Sequence, residues 1–345
     1  MIPSYRIDIF PRLFHFKKPA GTSRGVYTER RSWYVRVASA ACPGREGWGE
    51  CAPLPQLSVD DLPDYEGVLR GICAEVARTG QVDTERWREY PSMLFGLETA
   101  LRHLERGTYA LWDTPFSRGE EGICINGLIW MGDHDAMYRQ IREKLEAGFR
   151  CVKLKIGAIG FEEELDLLRF IRWHFPAREV ELRVDANGAF APAEALDKLK
   201  RLAELDLHSI EQPIRAGQWD EMAGLTSVSP LPVAFDEELI GHCSLEAKRR
   251  LLDALHPQYI VLKPSLHGGF SGCREWIEEA EKRNVGWWIT SALESNVGLN
   301  AIAQWCATWH TRMPQGLGTG MLFTDNVPMP LEIRKDCLWY VADGD

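Results

Sequence analysis

Five charged residues recur at nearly constant spacing in the middle of the sequence. They are Lys155, Asp185, Glu211, Asp236 and Lys263, and 25 to 30 residues separate each from the next. The three acids offer hard carboxylate oxygens, which suit Mg²⁺, with Mn²⁺ as an alternative, whereas zinc favours Cys and His. A lysine beside a divalent cation and a second cation has its ammonium form disfavoured, so it can act as a base near neutral pH. The pattern indicates metal-assisted removal of a proton next to a carboxylate.

Each of these residues lies at the end of a short run of β-forming residues. The seven runs are ICINGLI, RCVKLKI, VELRVD, HSIEQP, PVAFDE, QYIVLK and GWWITS. Amphipathic stretches with helical periodicity separate them, which is typical of βαβ units and a parallel sheet. Seven units in about 190 residues predict a barrel, closed by a further short strand near residues 316–318. An open doubly wound sheet is the alternative, but no Gly-x-Gly-x-x-Gly turn follows the first strand.

Alternation of side chains along the predicted strands separates apolar from charged residues. The apolar set, such as Val152 and Leu154, should meet the outer helices. The charged set should point into the barrel and comprises Lys153, Lys155, Glu181, Arg183, Asp185, Glu211, Asp236 and Lys263. Buried charges are costly unless they are paired or bound to metal. This balanced set therefore predicts a polar site at the carboxyl ends of the strands, where parallel barrels place their active sites.

Each of these residues also has a structural explanation when it is taken alone. Asp185 precedes Ala-Asn-Gly and could cap a helix, while Glu211 could lie on the surface and Lys263 in a loop. Lys155 could simply pair with Asp185, or it could form a Schiff base. The shared register across five units favours one site, and the three carboxylates favour a metal over a Schiff base.

The rest of the chain is organised differently and limits the function classes. The first 115 residues read as strands followed by helices, with a loop at residues 16–27, which predicts an α+β unit. We predict that the tail, residues 325–345, returns to this unit, and that residues 116–324 form the barrel. The net charge of -10 argues against a nucleic-acid partner. The sequence contains no transmembrane run or signal-peptide pattern, and its nine cysteines lack Cys-x-x-Cys spacing, so a cytoplasmic location is expected.

These motifs resemble those of the enolase superfamily. The resemblance rests on GWGECAPLP at residues 47–55 and on VKLKIG, VDAN, IEQP, FDE and LKPS. It implies a modified (β/α)7β TIM barrel of the α/β class with an α+β capping domain, and cap loops that close over the site. It also implies that Asp185, Glu211 and Asp236 bind Mg²⁺ and that Lys155 and Lys263 are catalytic. Lysines on both the second and sixth strands are typical of the muconate lactonizing subgroup.

The region of the eighth strand separates activities within that subgroup. Dipeptide epimerases carry an Asp-x-Asp there, whereas this chain has no acid between Gly316 and Asp325. The segments 289–298 and 316–323 resemble instead the dehydratases of menaquinone synthesis, which implies the conversion of a hydroxylated succinyl-cyclohexadiene carboxylate into its aromatic product. Lys155 would move the protons and Lys263 would stabilise the enediolate. The candidate substrate contacts are Ser291, Gly320, Asn187, Arg183 and Lys153. A racemase or epimerase of N-acylated amino acids is the nearest alternative, and a non-catalytic ligand-binding barrel is another.

Overall fold

The N-terminal part of the chain combines a small sheet with two helices. A computed structural model describes residues 5–22 and 25–341. An antiparallel sheet in the order β1-β2-β3 packs on α1 and α2. The elements are β1 (Tyr5–Thr22), β2 (Gly25–Ser39), β3 (Glu46–Cys51), α1 (Tyr65–Thr79) and α2 (Pro91–Arg106). This is the α+β arrangement expected for the cap.

The loop expected at residues 16–27 is mostly strand, which corrects that prediction. β1 and β2 extend through this segment as one long hairpin, in which Ala20 pairs with Tyr27. Residues 23–24 lie outside the described residues. The register shifts between His15 and Ala20, so the extra residues of β1 are accommodated in an irregularity. Pro19, which has no N–H to donate, lies in this irregular stretch, where no paired partner is required of it.

Glycines allow β3 to pack unusually close to α2. A Cβ atom at Gly49 would lie 1.9 Å from the carbonyl oxygen of Gly96, and one at Gly47 would lie 1.9 Å from that of Ala100. Real Cβ atoms cannot approach a backbone oxygen so closely, so the strand and the helix must separate if a side chain is added. The glycines of the GWGE segment are therefore explained by packing.

The second part of the chain is the barrel that the sequence predicts. Its parallel sheet has the order β11-β10-β9-β8-β7-β6-β5 within the described residues. The strands are β5 (Gly127–Ile129), β6 (Cys151–Lys155), β7 (Glu181–Asp185), β8 (Ser209–Glu211), β9 (Val233–Phe235), β10 (Tyr259–Leu262) and β11 (Gly286–Ile289). Single bridges from Gln315 to Ile125 and from Gly316 to Thr290 join the two edges. The predicted closure near residue 316 is confirmed, although it consists of isolated bridges.

Helices cover the outside of this sheet. They are α3 (His134–Glu146), α4 (Phe161–His174), α5 (Pro192–Ala203), α6 (Trp219–Val228), α7 (Leu245–Leu255), α8 (Gly269–Glu281) and α9 (Asn296–Cys306), and a 3-10 turn spans Glu237–Leu239. The outward strand residues, such as Val152 and Leu154, join the main apolar core. Ala234, Val261 and Trp288 form a separate cluster inside the barrel. The predicted alternation of faces is confirmed.

The C-terminal strands pair with the start of the barrel segment, and the beginning of the tail contacts the cap. β12 (Leu331–Arg334) and β13 (Cys337–Tyr340) form a hairpin, and β13 pairs with β4 (Ile123–Cys124). The contact with the cap lies at the start of the tail, where Asp325 Oδ1 accepts from the His15 N–H at 3.0 Å, and just before it, where the Lys17 N–H donates to the Leu322 carbonyl at 2.8 Å. Leu338 is buried and pairs with Ile123, so both apolar burial and backbone pairing stabilise the contact of β13 with β4. In the part of the chain that the structure describes, no helix is long and apolar enough to cross a bilayer.

Candidate active site

The five spaced charges meet at the carboxyl ends of adjacent strands. Lys155 pairs in register with Asp185, and Asp185 with Glu211, across β6, β7 and β8. Asp236 directly follows β9, and Lys263 directly follows β10. All five line one cavity at the mouth of the barrel. The parallel register explains this convergence, because it aligns the last residue of each strand at one end of the sheet.

Lys153 bridges two of the acids from inside the barrel. Its Nζ lies 2.9 Å from Asp185 Oδ2 and 2.5 Å from Glu211 Oε2. Burial lowers the pKa of Lys153, but the attraction of these carboxylates outweighs it, so the net pKa is raised and the ammonium persists. Glu181, on the neighbouring strand β7, binds Arg183 at 2.7 Å.

Lys155 is held by an amide more closely than by a carboxylate. Its Nζ donates to Asn187 Oδ1 at 2.8 Å and lies 3.6 Å from Asp185 Oδ2. Asn187 has a φ of 44° and is fixed in turn, since its Nδ2 donates to Glu237 Oε1 at 3.0 Å. Its backbone N–H also donates to Asp185 Oδ1 at 3.0 Å. The tip of Lys155 is therefore positioned at the cavity wall without full neutralisation by a contacting acid.

Lys263 lies on the other side of the acids and pairs with Asp236. Burial lowers the pKa of Lys263, but the charge of Asp236 raises it further, so the side chain stays charged. The Lys263 backbone N–H donates to His267 Nδ1 at 2.9 Å. Burial lowers the pKa of His267 to about 3, so the imidazole stays neutral and can accept this bond. Two lysines thus face the cavity from different strands.

The acids form an oxygen-rich group with uncommitted atoms. Glu211 Oε1 and Asp236 Oδ1 are buried and have no hydrogen-bond partner among the described residues. Burial and the neighbouring Asp185 raise the pKa of Glu211, which indicates that its negative charge lacks sufficient compensation. Among residues 5–22 and 25–341, no group of three acids, histidines or cysteines is arranged to hold a metal, and the ammonium groups of Lys153 and Lys263 lie against the carboxylates. The donor set itself, all hard oxygens with two uncommitted atoms, fits Mg²⁺.

Several residues of the site were not singled out from the sequence. Gln212 has a φ of 40°, and its Oε1 accepts from the backbone N–H groups of Asp236 at 3.4 Å and Glu238 at 3.1 Å. It therefore orients the loop that carries Asp236. In the sequence, its position in the IEQP motif is the feature that could have identified it as part of the site. Further lining residues not singled out are Leu54, Leu57, Asn126, Leu128, Trp130, Trp288, Thr290, Leu293 and Thr319.

The structure brings some of the candidate substrate contacts into the cavity and excludes others. Ser291, Asn187 and Lys153 line it, and the Ser291 hydroxyl lies 2.5 Å from Thr319 Oγ1. Arg183 does not line it. Its buried guanidinium binds Glu181 at 2.7 Å, donates to the Pro314 carbonyl at 2.9 Å and lies over the ring of Trp288.

Gly320 also lies outside the cavity lining. Its carbonyl accepts from Asn326 Nδ2 at 3.1 Å, and a Cβ at this position would face Asn296 and Leu299. Gly318 and Thr319, just before it, reach the cavity instead. The loop turns away after Thr319, so Gly320 lies just beyond the cavity lining.

Comparisons with known proteins agree with this geometry. A family model described as Enolase C-terminal domain-like matches residues 136–340, and one described as MenC, N-terminal domain, matches residues 22–104. The o-succinylbenzoate synthase of Desulfotalea psychrophila is 47% identical and aligns over 92% of this chain and 94% of its own length. The chain belongs to the o-succinylbenzoate synthase family. That of Thermosynechococcus vestitus is 26% identical over 88% of both chains.

Solved structures support the same family and fold. The crystal structure of MenC from Desulfotalea psychrophila has a TM-score of 0.82 at 41% identity, covering 97% of this chain and 99% of that chain. The L-Ala-D/L-Glu epimerase of Bacillus subtilis has a TM-score of 0.83 at 19% identity, covering 99% and 96%, so it supports the fold alone. The predicted superfamily and the modified barrel with a capping domain are confirmed. At the level of the family, the predicted dehydratase is also confirmed.

Proposed function

We propose that this protein is a hydro-lyase that converts 2-succinyl-6-hydroxy-2,4-cyclohexadiene-1-carboxylate to 2-succinylbenzoate by syn-dehydration, a step of menaquinone biosynthesis. The observation that carries the proposal is the 47% identity with an o-succinylbenzoate synthase over 92% of the chain. The convergence of two lysines and three acids on one cavity supports it, because these groups are suited to proton removal next to a carboxylate. We also propose a cytoplasmic location, in keeping with cysteines that are all unpaired thiols.

Asp185, Glu211 and Asp236 are the residues that would hold Mg²⁺, with Mn²⁺ as an alternative. The uncommitted buried oxygens of Glu211 and Asp236 support this assignment. When bound, the metal would supply positive charge facing the substrate carboxylate, which stabilises the negative charge that develops there. Lys153 would balance Asp185 and Glu211 from inside the barrel, as its contacts of 2.9 and 2.5 Å indicate.

Lys155 would move both protons of the reaction. Its neutral amine would take the proton from the carbon next to the carboxylate, and the resulting ammonium would give a proton to the leaving hydroxyl group. The hydroxyl departs as water, the ring becomes aromatic, and Lys155 returns to its starting state. A single lysine suffices because both groups leave from one face in a syn-elimination. The bond to Asn187 supports this role because it holds Nζ at the cavity wall.

Lys263 would stabilise charge without moving a proton. Its ammonium is retained in the folded protein because the attraction of Asp236 outweighs the cost of burial. A fixed cation in a buried site stabilises a developing enediolate strongly and can also stack on the face of the ring. Ser291, which lies beside Thr319 in the cavity, would bind a distal polar group of the substrate.

The proposal is tested by following aromatisation through ultraviolet absorbance. We expect activity with Mg²⁺, loss of activity on chelation, and no activity in Lys155→Ala. The control Lys200→Ala removes a lysine whose side chain is 57% exposed on α5 and should keep parental activity. A parent that is inactive with Mg²⁺ would contradict the synthase assignment. Activity that survives chelation would contradict the metal, and activity that survives Lys155→Ala would contradict the role of that lysine.

Proton exchange distinguishes this reaction from racemisation by the same two lysines. A racemase would exchange the α-proton of N-succinylamino acids with solvent deuterium, whereas a dedicated dehydratase would not. We expect proton NMR to show no exchange of the α-proton of N-succinylamino acids during a time in which the same amount of enzyme completes many turnovers of the dehydration. Rapid exchange without dehydration would replace the proposed function with a racemase.

A further inference from the structure

A buried polar network joins the cap to the barrel beside the cavity. Arg30 on β2 is 2% exposed, and Glu50 on β3 and Glu294 after β11 are both fully buried. Removing charged groups from water is costly unless hydrogen bonds and opposite charges compensate for it. None of the three lines the cavity. Their placement therefore calls for an explanation other than direct contact with a ligand.

Arg30 joins the two segments that form the apolar wall of the cavity. Its Nη2 donates to the Ala52 carbonyl at 2.6 Å, and its Nη1 donates to the Ala292 carbonyl. Ala52 leads into the cap segment whose Leu54 lines the cavity, and Ala292 lines the cavity itself. The planar fork of a guanidinium can hold two acceptors in a fixed relation, which a lysine cannot do.

Glu294 holds the same barrel segment from its other side. Its Oε2 accepts from the Ala292 N–H at 2.8 Å, and its Oε1 accepts from Ser265 Oγ. The peptide groups flanking Ala292 are thus fixed at both the N–H and the carbonyl. The next residue, Leu293, has a φ of 63°, a conformation that costs free energy for a residue with a Cβ. The flanking bonds explain how this conformation is maintained.

Glu50 anchors the following helix to the cap. It accepts from the backbone N–H groups of Ser295 and Gly298, each at 3.0 Å, at the start of α9. It also accepts from Ser32 Oγ at 2.8 Å within the cap. A carboxylate is favourable at a helix N-terminus because it satisfies unpaired N–H groups and faces the positive end of the helix dipole. The segment between β11 and α9 is therefore held by the cap along its length.

We infer that Arg30 is a positioning residue that sets the apolar wall formed by Ala292 and Leu293 against the substrate through its two carbonyl bonds, while Glu294 holds the same segment from its other side. This inference rests on the proposed function. Ala292 and Leu293 cluster with Leu54 and Leu266, and none of these apolar side chains carries a group that can move a proton or bind the metal. Such a wall contacts the substrate equally before and during the reaction, so its loss raises KM and leaves kcat nearly unchanged.

The test compares steady-state dehydration by the parent, Arg30→Met and Arg30→Lys. We expect KM to rise about tenfold or more in Arg30→Met, with kcat within about threefold of the parent, because two charge-assisted bonds are lost. Arg30→Lys keeps the charge but loses the fork, so it should give an intermediate KM. The matched control is Arg36→Met. Arg36 lies on the same strand but does not line the cavity, and its guanidinium binds Asp8 at a distance of 2.8 Å. The KM of Arg36→Met should equal that of the parent.

The remaining outcomes also decide the inference. An unchanged KM in folded Arg30→Met, or a fall in kcat alone, would overturn it, as would an equal rise of KM in Arg36→Met. If Arg30→Met does not fold, Ser265→Ala decides, because it removes only the bond to Glu294 and should raise KM in the same way. An inactive parent would refute the proposed function. An active parent with an unchanged variant would refute only the role of Arg30.

Discussion

Replacing Asp60 by asparagine should remove a pH dependence from the stability of the cap. Asp60 is fully buried, and its Oδ2 accepts from the backbone N–H of Ser92 at 2.8 Å and from its hydroxyl at 2.6 Å. Ser92 lies in the first turn of α2, whose N-cap residue Tyr90 makes no capping bond with its side chain. Asp60 thus supplies the N-terminal capping bonds of helix α2 from a loop outside that helix. Burial raises the pKa of this carboxyl to about 6, although the bonds from Ser92 oppose the shift.

The size and sign of the effect follow from this pKa. The ordinary pKa of an aspartate is 3.8, so raising the pKa of Asp60 to about 6 corresponds to about 3 kcal/mol. The folded protein binds the proton more tightly than the unfolded chain does. The carboxyl therefore lowers the free energy of unfolding as the pH rises from about 4 through about 6, and the loss is complete above that range.

Urea unfolding followed by far-ultraviolet circular dichroism measures the effect. The free energy of unfolding of Asp60→Asn minus that of the parent should rise by about 3 kcal/mol between about pH 4 and pH 7.5. Other titrating groups cancel in this difference. Asp61→Asn is the control, because Asp61 is exposed and accepts from the Gln56 N–H at 2.8 Å. A difference for Asp60→Asn that is flat with pH would refute the assignment of a raised pKa.

Two further predictions concern packing and the proposed metal. Gly49→Ala should lower the free energy of unfolding of the cap by about 2 kcal/mol or more, because its Cβ would lie 1.9 Å from the Gly96 oxygen. Gly71→Ala, where no atom lies within 4 Å of the added Cβ, should be neutral or slightly stabilising in α1, and equal effects in urea unfolding would contradict this explanation. Glu211→Gln should weaken Mg²⁺ binding in titration calorimetry by at least about tenfold, because it removes one charged ligand. The exposed control Glu204→Gln should bind Mg²⁺ as the parent does, and unchanged affinity in Glu211→Gln would exclude that carboxylate as a ligand.

The central cluster could be predicted because its geometry follows from repetition. Successive βα units of similar length place strand ends at one edge of a barrel, and alternation along each strand decides which side chains point inward. These two rules are sufficient to bring Lys155 and Asp185 together, and the structure places them as in-register neighbours. The same rules assigned Arg183 to the interior, but they did not show that its guanidinium would be engaged by Glu181 and Trp288 and would not reach the cavity.

Contacts between distant segments could not be predicted in this way. The pairing of Lys153 with Glu211 depends on how two strands that are not adjacent approach across the barrel interior. The bond from Arg30 to Ala292 joins residues 262 positions apart, and no local pattern of residue types announces it. The tail likewise contains a clear strand signal, but only the packed molecule offers β4 as its partner.

The sequence by itself determined the seven βα units, the spacing of the acids and lysines at their ends, and the family, because these depend on periodicities and motifs within short windows. Tertiary structure decided which ammonium neutralises which carboxylate, which candidate contacts reach the cavity, and how the cap holds the segment around Ala292. Those outcomes depend on distances of a few ångströms between segments remote in sequence. Such distances arise only when the packing of the whole chain is complete.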